Sequence, residues 1–263
     1  MKTELPLAGV TIGVTRAKEQ SRSFINKIES QGGVAVAVPL LEFQPPQDKH
    51  QVMTCLSKLH TYDWLIITSA NGVHFFLKEV QNMDKLSILK TKNIAVVGSK
   101  TEEVLQSYGL QAALLPEKFV AESLLETLQI NLKEDNRVLI VKGNLARDVI
   151  YDGLQKAGFT VDEVTVYETV ENKDAEEDLL HMLSSQSLNY LTFTSPSTVQ
   201  NFIKIIKKHT ISINDNLTFV CIGPITAQEA QKSMLQPLLV AEEYTTEGMI
   251  EEMIKHKGRQ NNV

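Results

Sequence analysis

The chain repeats itself at about half its length, and that repeat limits what it can fold into more than any other feature. Thr68-Ser69-Ala70-Asn71-Gly72-Val73-His74-Phe75-Phe76 returns 126 residues later as Thr194-Ser195-Pro196-Ser197-Thr198-Val199-Gln200-Asn201-Phe202. Residues 94–98, followed by Thr101, Gln106 and Leu110, return 125 residues later as 219–223, followed by Thr226, Gln231 and Leu235. Glu122, Leu124 and Glu126 have counterparts in Glu247, Met249 and Glu251, and the run 10–14 is echoed by 138–141. The helical segments behind those two runs close on Gly32-Gly33 and Gly158. Five pieces in order at nearly constant spacing point to a duplication. Two similar lobes with one ligand cleft between them are the expected result, and 263 residues is the size at which a single core divides.

Short β-branched runs at 10–14, 65–68, 94–97, 138–141, 190–194 and 219–222 each lead into a polar turn and a helix-like segment. That alternation predicts an α/β fold: two similar parallel-sheet lobes, flavodoxin-like, covered by helices on both faces. Residues 34–43 and 161–170 are about ten residues long where five or six is usual for a strand. They are read as two long strand crossings that join the lobes. The first domain is then discontinuous, 1–36 with 172–263, and the second is 37–171.

Hydrophobic residues make up 43% of the chain, enough for two cores, and no apolar run approaches the ~20 residues of a membrane span. Glu4 and Pro6 stand where a signal peptide would carry its apolar stretch, so a soluble, cytoplasmic protein is expected. Two cysteines, Cys55 and Cys221, give no disulfide framework. A net charge of −6 argues against nucleic acid as the partner, so any anionic ligand has to be held by local groups.

In open parallel sheets, ligands bind beyond the carboxyl ends of the strands, where helix N-termini offer unpaired N–H groups. The turns at those positions carry Thr15 and Arg16, Ser69 and Asn71, Ser99, Lys142 with Asn144, Ser195 with Ser197, and Ile225 with Thr226. These small polar residues either cradle an anion or serve only as helix caps. Arg16, Lys142 and Arg147 favour the anion, because a cation beside a helix N-terminus is unfavourable unless a negative charge offsets it. The chain has no dinucleotide or triphosphate glycine motif, no serine-hydrolase elbow and no metal-ligand spacing among its six histidines. Tyr167, late in the second crossing, is the candidate weak acid; a half-buried strand tyrosine is the alternative.

The series Thr15-Arg16, Thr68-Ser69-Ala70-Asn71-Gly72-Val73, Val97-Gly98, Lys142-Gly143-Asn144 with Arg147, Val166-Tyr167-Glu168-Thr169, Thr194-Ser195-Pro196-Ser197 and Ile222-Gly223-Pro224-Ile225-Thr226-Ala227 resembles the uroporphyrinogen-III synthases, in order and over almost the whole chain. Lys142 departs from the arginine common in that family, keeping charge but losing a forked contact. The resemblance implies an enzyme that takes linear hydroxymethylbilane, removes its terminal hydroxyl, closes the ring and inverts the last pyrrole, through an azafulvene and a spiro intermediate. It implies no metal and no cofactor, and a monomer with at most transient contact with hydroxymethylbilane synthase. Tyr167 resembles the family's proposed proton donor; a tyrosine, with its ordinary pKa near 10, keeps its proton at neutral pH. The eight carboxylates of the substrate give Arg16, Lys142, Arg147 and the backbone N–H groups of the turns their role. A two-lobed binding module for a small anion, without chemistry, and a cofactor enzyme of doubly wound fold are the alternatives from other classes.

Overall fold

The computed structural model describes residues 5–260. Along the chain these form β1 (Thr11–Val14), α1 (Lys18–Ser30), β2 (Val34–Ala37), β3 (Leu41–Gln44), α2 (His50–Ser57), β4 (Trp64–Ile67), α3 (Ala70–Asn82), α4 (Leu86–Leu89), β5 (Asn93–Val96) and α5 (Ser99–Ser107). There follow α6 (Ala121–Asn131), β6 (Arg137–Gly143), α7 (Val149–Lys156), β7 (Thr160–Glu171), α8 (Lys173–Ser184), β8 (Tyr190–Phe193), α9 (Pro196–His209), β9 (Thr218–Cys221), α10 (Pro224–Lys232), β10 (Leu238–Val240) and α11 (Thr246–Gln260). The chain divides into two compact units, one of Met1–Glu42 with Val170–Val263 and one of Phe43–Thr169.

Each unit holds a five-stranded sheet, in the order β10-β9-β8-β1-β2 in the first and β3-β7-β6-β4-β5 in the second. Taken in their own chain order, the strands of the first sheet run 2-1-3-4-5, the flavodoxin-like arrangement. In the second sheet β6 and β7 stand where β1 and β2 stand in the first, and β4 and β5 stand for β8 and β9. The correspondence reaches single residues: Leu114 bridges to Ala95 as Leu239 pairs with Val220. The duplicated pieces of sequence are therefore the same strands and turns, entered at a different point of the cycle.

Both sheets are apolar on both faces, as parallel strands roofed by helices must be. In the second unit Leu65, Ile67, Leu139 and Val141 pack on one face, with Val73, Phe76 and Leu77 of α3. Ile66, Val138 and Ile140 pack on the other, under Leu124 of α6 and Leu154 of α7. The local signals are shared by the units too. Ser69 and Ser195 cap α3 and α9, accepting from the N–H groups of Gly72 at 3.0 Å and Thr198 at 3.3 Å. Gly32 and Gly158 take φ of +85° and +90° to end α1 and α7, a left-handed turn that glycine adopts without a Cβ penalty.

The first crossing departs from expectation. Residues 34–43 are two strands, β2 in the first sheet and β3 in the second, separated by Val38, Pro39 and Leu40. Pro39 has no N–H to give a ladder, which breaks the run where the sequence looks continuous. Val38 and Leu40 are fully buried among Leu179, Phe193 and Phe202, so a boundary drawn after residue 36 leaves part of the first unit's core on the wrong side. The second crossing is the continuous strand β7, of 12 residues.

Candidate active site

In the second unit the carboxyl ends of β4, β6 and β7 meet at Tyr167. The ladder between β6 and β7 shifts register here: Lys142 pairs with Thr165, but Gly143 pairs with Tyr167. A bulge of this kind re-aims the side chains beyond it. Val166 and Tyr167, though consecutive, consequently both pack against the cluster that holds α3. The phenol ring stacks on Phe75 at 5.6 Å between centroids and meets Phe43 edge-on at 5.7 Å. Gly143 is its seat. A Cβ built there would lie 2.7 Å from both the Tyr167 hydroxyl and Cε2, closer than van der Waals contact allows.

The Tyr167 hydroxyl lies 3.1 Å from Ser69 Oγ, the oxygen that also caps α3. Asn144 holds the strand beyond it: its N–H donates to the Tyr167 carbonyl at 3.2 Å, and its Oδ1 accepts from the Thr169 N–H at 2.8 Å. Tyr167 and Ser69 line a cavity of about 380 Å³, together with Phe119, Leu145, Arg147 and Thr169. Arg147 is exposed and donates to Glu122 at 2.9 Å, a surface ion pair open to solvent. Asn71 and Ser99 open α3 and α5 at the ends of β4 and β5.

Lys142 lies elsewhere. It lines a neighbouring cavity of about 440 Å³ with Asp48 and Glu168, and its ammonium donates to Asp148 at 2.6 Å and Glu163 at 2.7 Å. Burial works against its charge, but the bonds to the two carboxylates outweigh it and hold its pKa above the ordinary value. A pKa raised by folding contributes stability in full below the unfolded value, about 10.4, and loses it as pH rises through the folded one. Thermal melts between pH 8 and pH 12 are therefore expected to fall more steeply for the wild type than for Lys142→Met. Parallel curves would mean that the lysine carries no such linkage.

The first unit carries the remaining predicted residues at the ends of β1, β8 and β9. Thr15 is fully buried and donates to the Thr192 carbonyl at 2.6 Å, so its hydroxyl is committed inside the sheet. Arg16 is half-buried beside Gln20, which accepts from its Nε at 3.1 Å, and burial lowers its pKa. Ser195 and Ser197 bond each other at 3.0 Å at the start of α9. At the start of α10, Ile225 is exposed and Thr226 is buried. Sequence reasoning missed Phe43, Phe75 and Gly143, whose roles appear only once the bulge places Tyr167 among them. Among the described residues, no group of three His, Cys, Asp or Glu is placed to hold a metal ion.

The profile of the family described as uroporphyrinogen-III synthase HemD matches residues 22–251. The chain belongs to the uroporphyrinogen-III synthase family. It is 31% identical to the uroporphyrinogen-III synthase of Synechococcus elongatus, over 94% of this chain and 95% of that one. A porphyrin biosynthesis protein HemD of Ruminiclostridium josui is also 31% identical over 96% of the chain, which spans 50% of that longer protein. Among solved structures, a mutant uroporphyrinogen III synthase of the extreme thermophile Thermus thermophilus superposes with a TM-score of 0.63 at 14% identity, over 96% of this chain and 100% of the other. The synthase of Helicobacter pylori gives 0.63 at 19% identity, over 94% and 99%. At such identities these two structures speak for the fold, and the two-unit α/β architecture is that of the family.

Proposed function

We propose that the chain converts hydroxymethylbilane to uroporphyrinogen III, and that Tyr167 is the proton donor of the dehydration. The observation that carries this reading is the Tyr167 hydroxyl, seated over Gly143 and bonded to Ser69 on the wall of a cavity. With the Ser69 hydroxyl donating to the phenol oxygen, the phenol keeps its own proton free for the ligand. That proton passes to the substrate's terminal hydroxyl, the C–O bond breaks with its electron pair on oxygen, and water leaves. Electrons from the adjacent pyrrole nitrogen fill the vacancy as the azafulvene. Ser69 then stabilises the phenolate, and a proton released from a ring carbon at closure restores the phenol. General acid assistance of this kind contributes about 10²–10⁴-fold.

The rest of the work is positioning, and well-held geometry removes roughly 7 kcal/mol or more from a barrier. Arg147 and the helix N-termini at Ser69, Asn71 and Ser99 suit the acetate and propionate groups. Arg16, Ser195, Ser197 and the N–H groups at Ile225 and Thr226 are their counterparts on the first unit. Lys142, held by two carboxylates, serves better as a support for the end of β6 than as a direct contact, and Thr15 as a tie between β1 and β8. The reading extends to a monomer acting in the cytoplasm. Because hydroxymethylbilane closes unaided, a short handover from hydroxymethylbilane synthase would limit its loss. No described helix is long and apolar enough to cross a membrane.

Turnover separates this reading from a binding module. Purified protein at catalytic amounts is expected to consume freshly made hydroxymethylbilane many times over, well above the unassisted rate. Stoichiometric binding with no acceleration would favour the module.

A further inference from the structure

The ladder between β6 and β7 ends at the pair Gly143 and Tyr167. After Gly143 the chain turns away, and the Ala146 N–H donates back to the Gly143 carbonyl at 3.1 Å. One further rung is nevertheless present. In a parallel ladder a residue donates its N–H to one residue of the neighbouring strand and accepts, through its carbonyl, from the residue two further along. Asn144 keeps the first half of that pattern with its backbone, donating to the Tyr167 carbonyl at 3.2 Å. It supplies the second half with its side chain. Oδ1 takes the place of the carbonyl and accepts from the Thr169 N–H at 2.8 Å, while Nδ2 donates to the Thr169 carbonyl at 3.4 Å. The orientation of the amide is fixed, because turning it over would set its NH₂ group against the Thr169 N–H, donor against donor.

We infer that Asn144 is a positioning residue for Tyr167, restoring the rung that the turn after β6 takes away, and not a contact for the substrate's carboxylates. This rests on the reading of Tyr167 as the proton donor. The phenol has three supports of different kinds: Gly143 as its seat, Ser69 bonded to its hydroxyl at 3.1 Å, and Asn144 on the backbone at its root. The first two fix the hydroxyl only while the backbone beneath the ring stays in place. A bulge disrupts the ladder locally, and the rung from Asn144 ties β7 again on the far side of the register shift. Thr169, the residue so tied, is the last of the second unit. An asparagine suits the place because one short side chain presents both an acceptor and a donor, the two groups that a strand's N–H and C=O require.

The test compares Asn144→Ala and Asn144→Asp, and repeats the alanine in the Tyr167→Phe background. Asn144→Ala is expected to lower kcat about 10–30-fold with KM changed less than threefold. The loss falls short of the ~10²-fold of a 1 Å displacement because Gly143 and Ser69 still bear on the hydroxyl. Asn144→Asp keeps an acceptor of the same reach and is expected to recover most of that kcat. A contact to a substrate carboxylate predicts the opposite order, since an aspartate there repels the ligand and falls below alanine. In Tyr167→Phe, adding Asn144→Ala is expected to cost less than twofold, because the group it positions is already gone. Asn144 is exposed, so the fold survives either substitution. A rise in KM at constant kcat, an aspartate slower than alanine, or the full loss repeated in Tyr167→Phe overturns the inference. Hydrogen exchange gives a readout that needs no turnover: the Thr169 amide is expected to exchange at least tenfold faster in Asn144→Ala. An unchanged rate there overturns the inference whether or not the wild type makes uroporphyrinogen III, which keeps its failure distinct from failure of the synthase reading.

Discussion

Tyr167→Phe is expected to slow formation of uroporphyrinogen III by about 10²-fold while the affinity for product changes less than threefold. The substitution removes one oxygen and leaves the ring between Phe43 and Phe75, so packing survives while the hydroxyl proposed as proton donor, with its bond to Ser69, is lost. The figure is the lower end of general acid catalysis, because the terminal hydroxyl of hydroxymethylbilane already leaves with help from the pyrrole nitrogen. A loss confined to kcat marks an interaction made in the transition state; a rise in KM alone would mark simple binding. Equal rates for the variant and the wild type would return Tyr167 to a structural role and leave catalysis to positioning.

Gly143→Ala is expected to cost as much while keeping every functional group of the site. The new methyl would lie 2.7 Å from the Tyr167 hydroxyl, and a ring held by two phenylalanines has little room to swing away. Overpacking costs about 1–3 kcal/mol, and displacing a catalytic group by ~1 Å costs on the order of 10²-fold. A melting point lower by several degrees is expected alongside the loss of rate. Because both substitutions act through one hydroxyl, Gly143→Ala combined with Tyr167→Phe should be little slower than Tyr167→Phe alone. Multiplication of the two losses would show that Gly143 matters for something other than the phenol.

The contrast between these two residues shows what the sequence exposes. Tyr167 stands out as a candidate because it lies late in a long β-branched run in a chain without other acid–base groups in motif spacing. Gly143 is visible only as a residue of a polar turn, since its partner is set by a register shift that no local pattern encodes. The duplicated turns at Ser69 and Ser195 read correctly as helix starts, because a serine cap is written in a few adjacent residues. The run 34–43 misleads because apolar content stays continuous across Pro39 while the chain passes from one sheet to the other. Thr15 illustrates the same limit: its hydroxyl is taken by the Thr192 carbonyl, 177 residues away, and only the β1–β8 pairing reveals it. Lys142 reads as an anion receptor in the sequence, and its hold by Asp148 and Glu163 is written in no local spacing.

The most direct measurement is the isomer of the product. Unassisted closure of hydroxymethylbilane joins its ends without inverting the last ring and gives uroporphyrinogen I, so the III isomer is a signature of directed chemistry. Purified protein, mixed with freshly prepared hydroxymethylbilane and followed by oxidation and chromatographic separation of the isomers, is expected to give predominantly uroporphyrin III, with the share of the I isomer rising in Tyr167→Phe as the unassisted reaction overtakes it. A wild-type product that is entirely the I isomer would contradict the account.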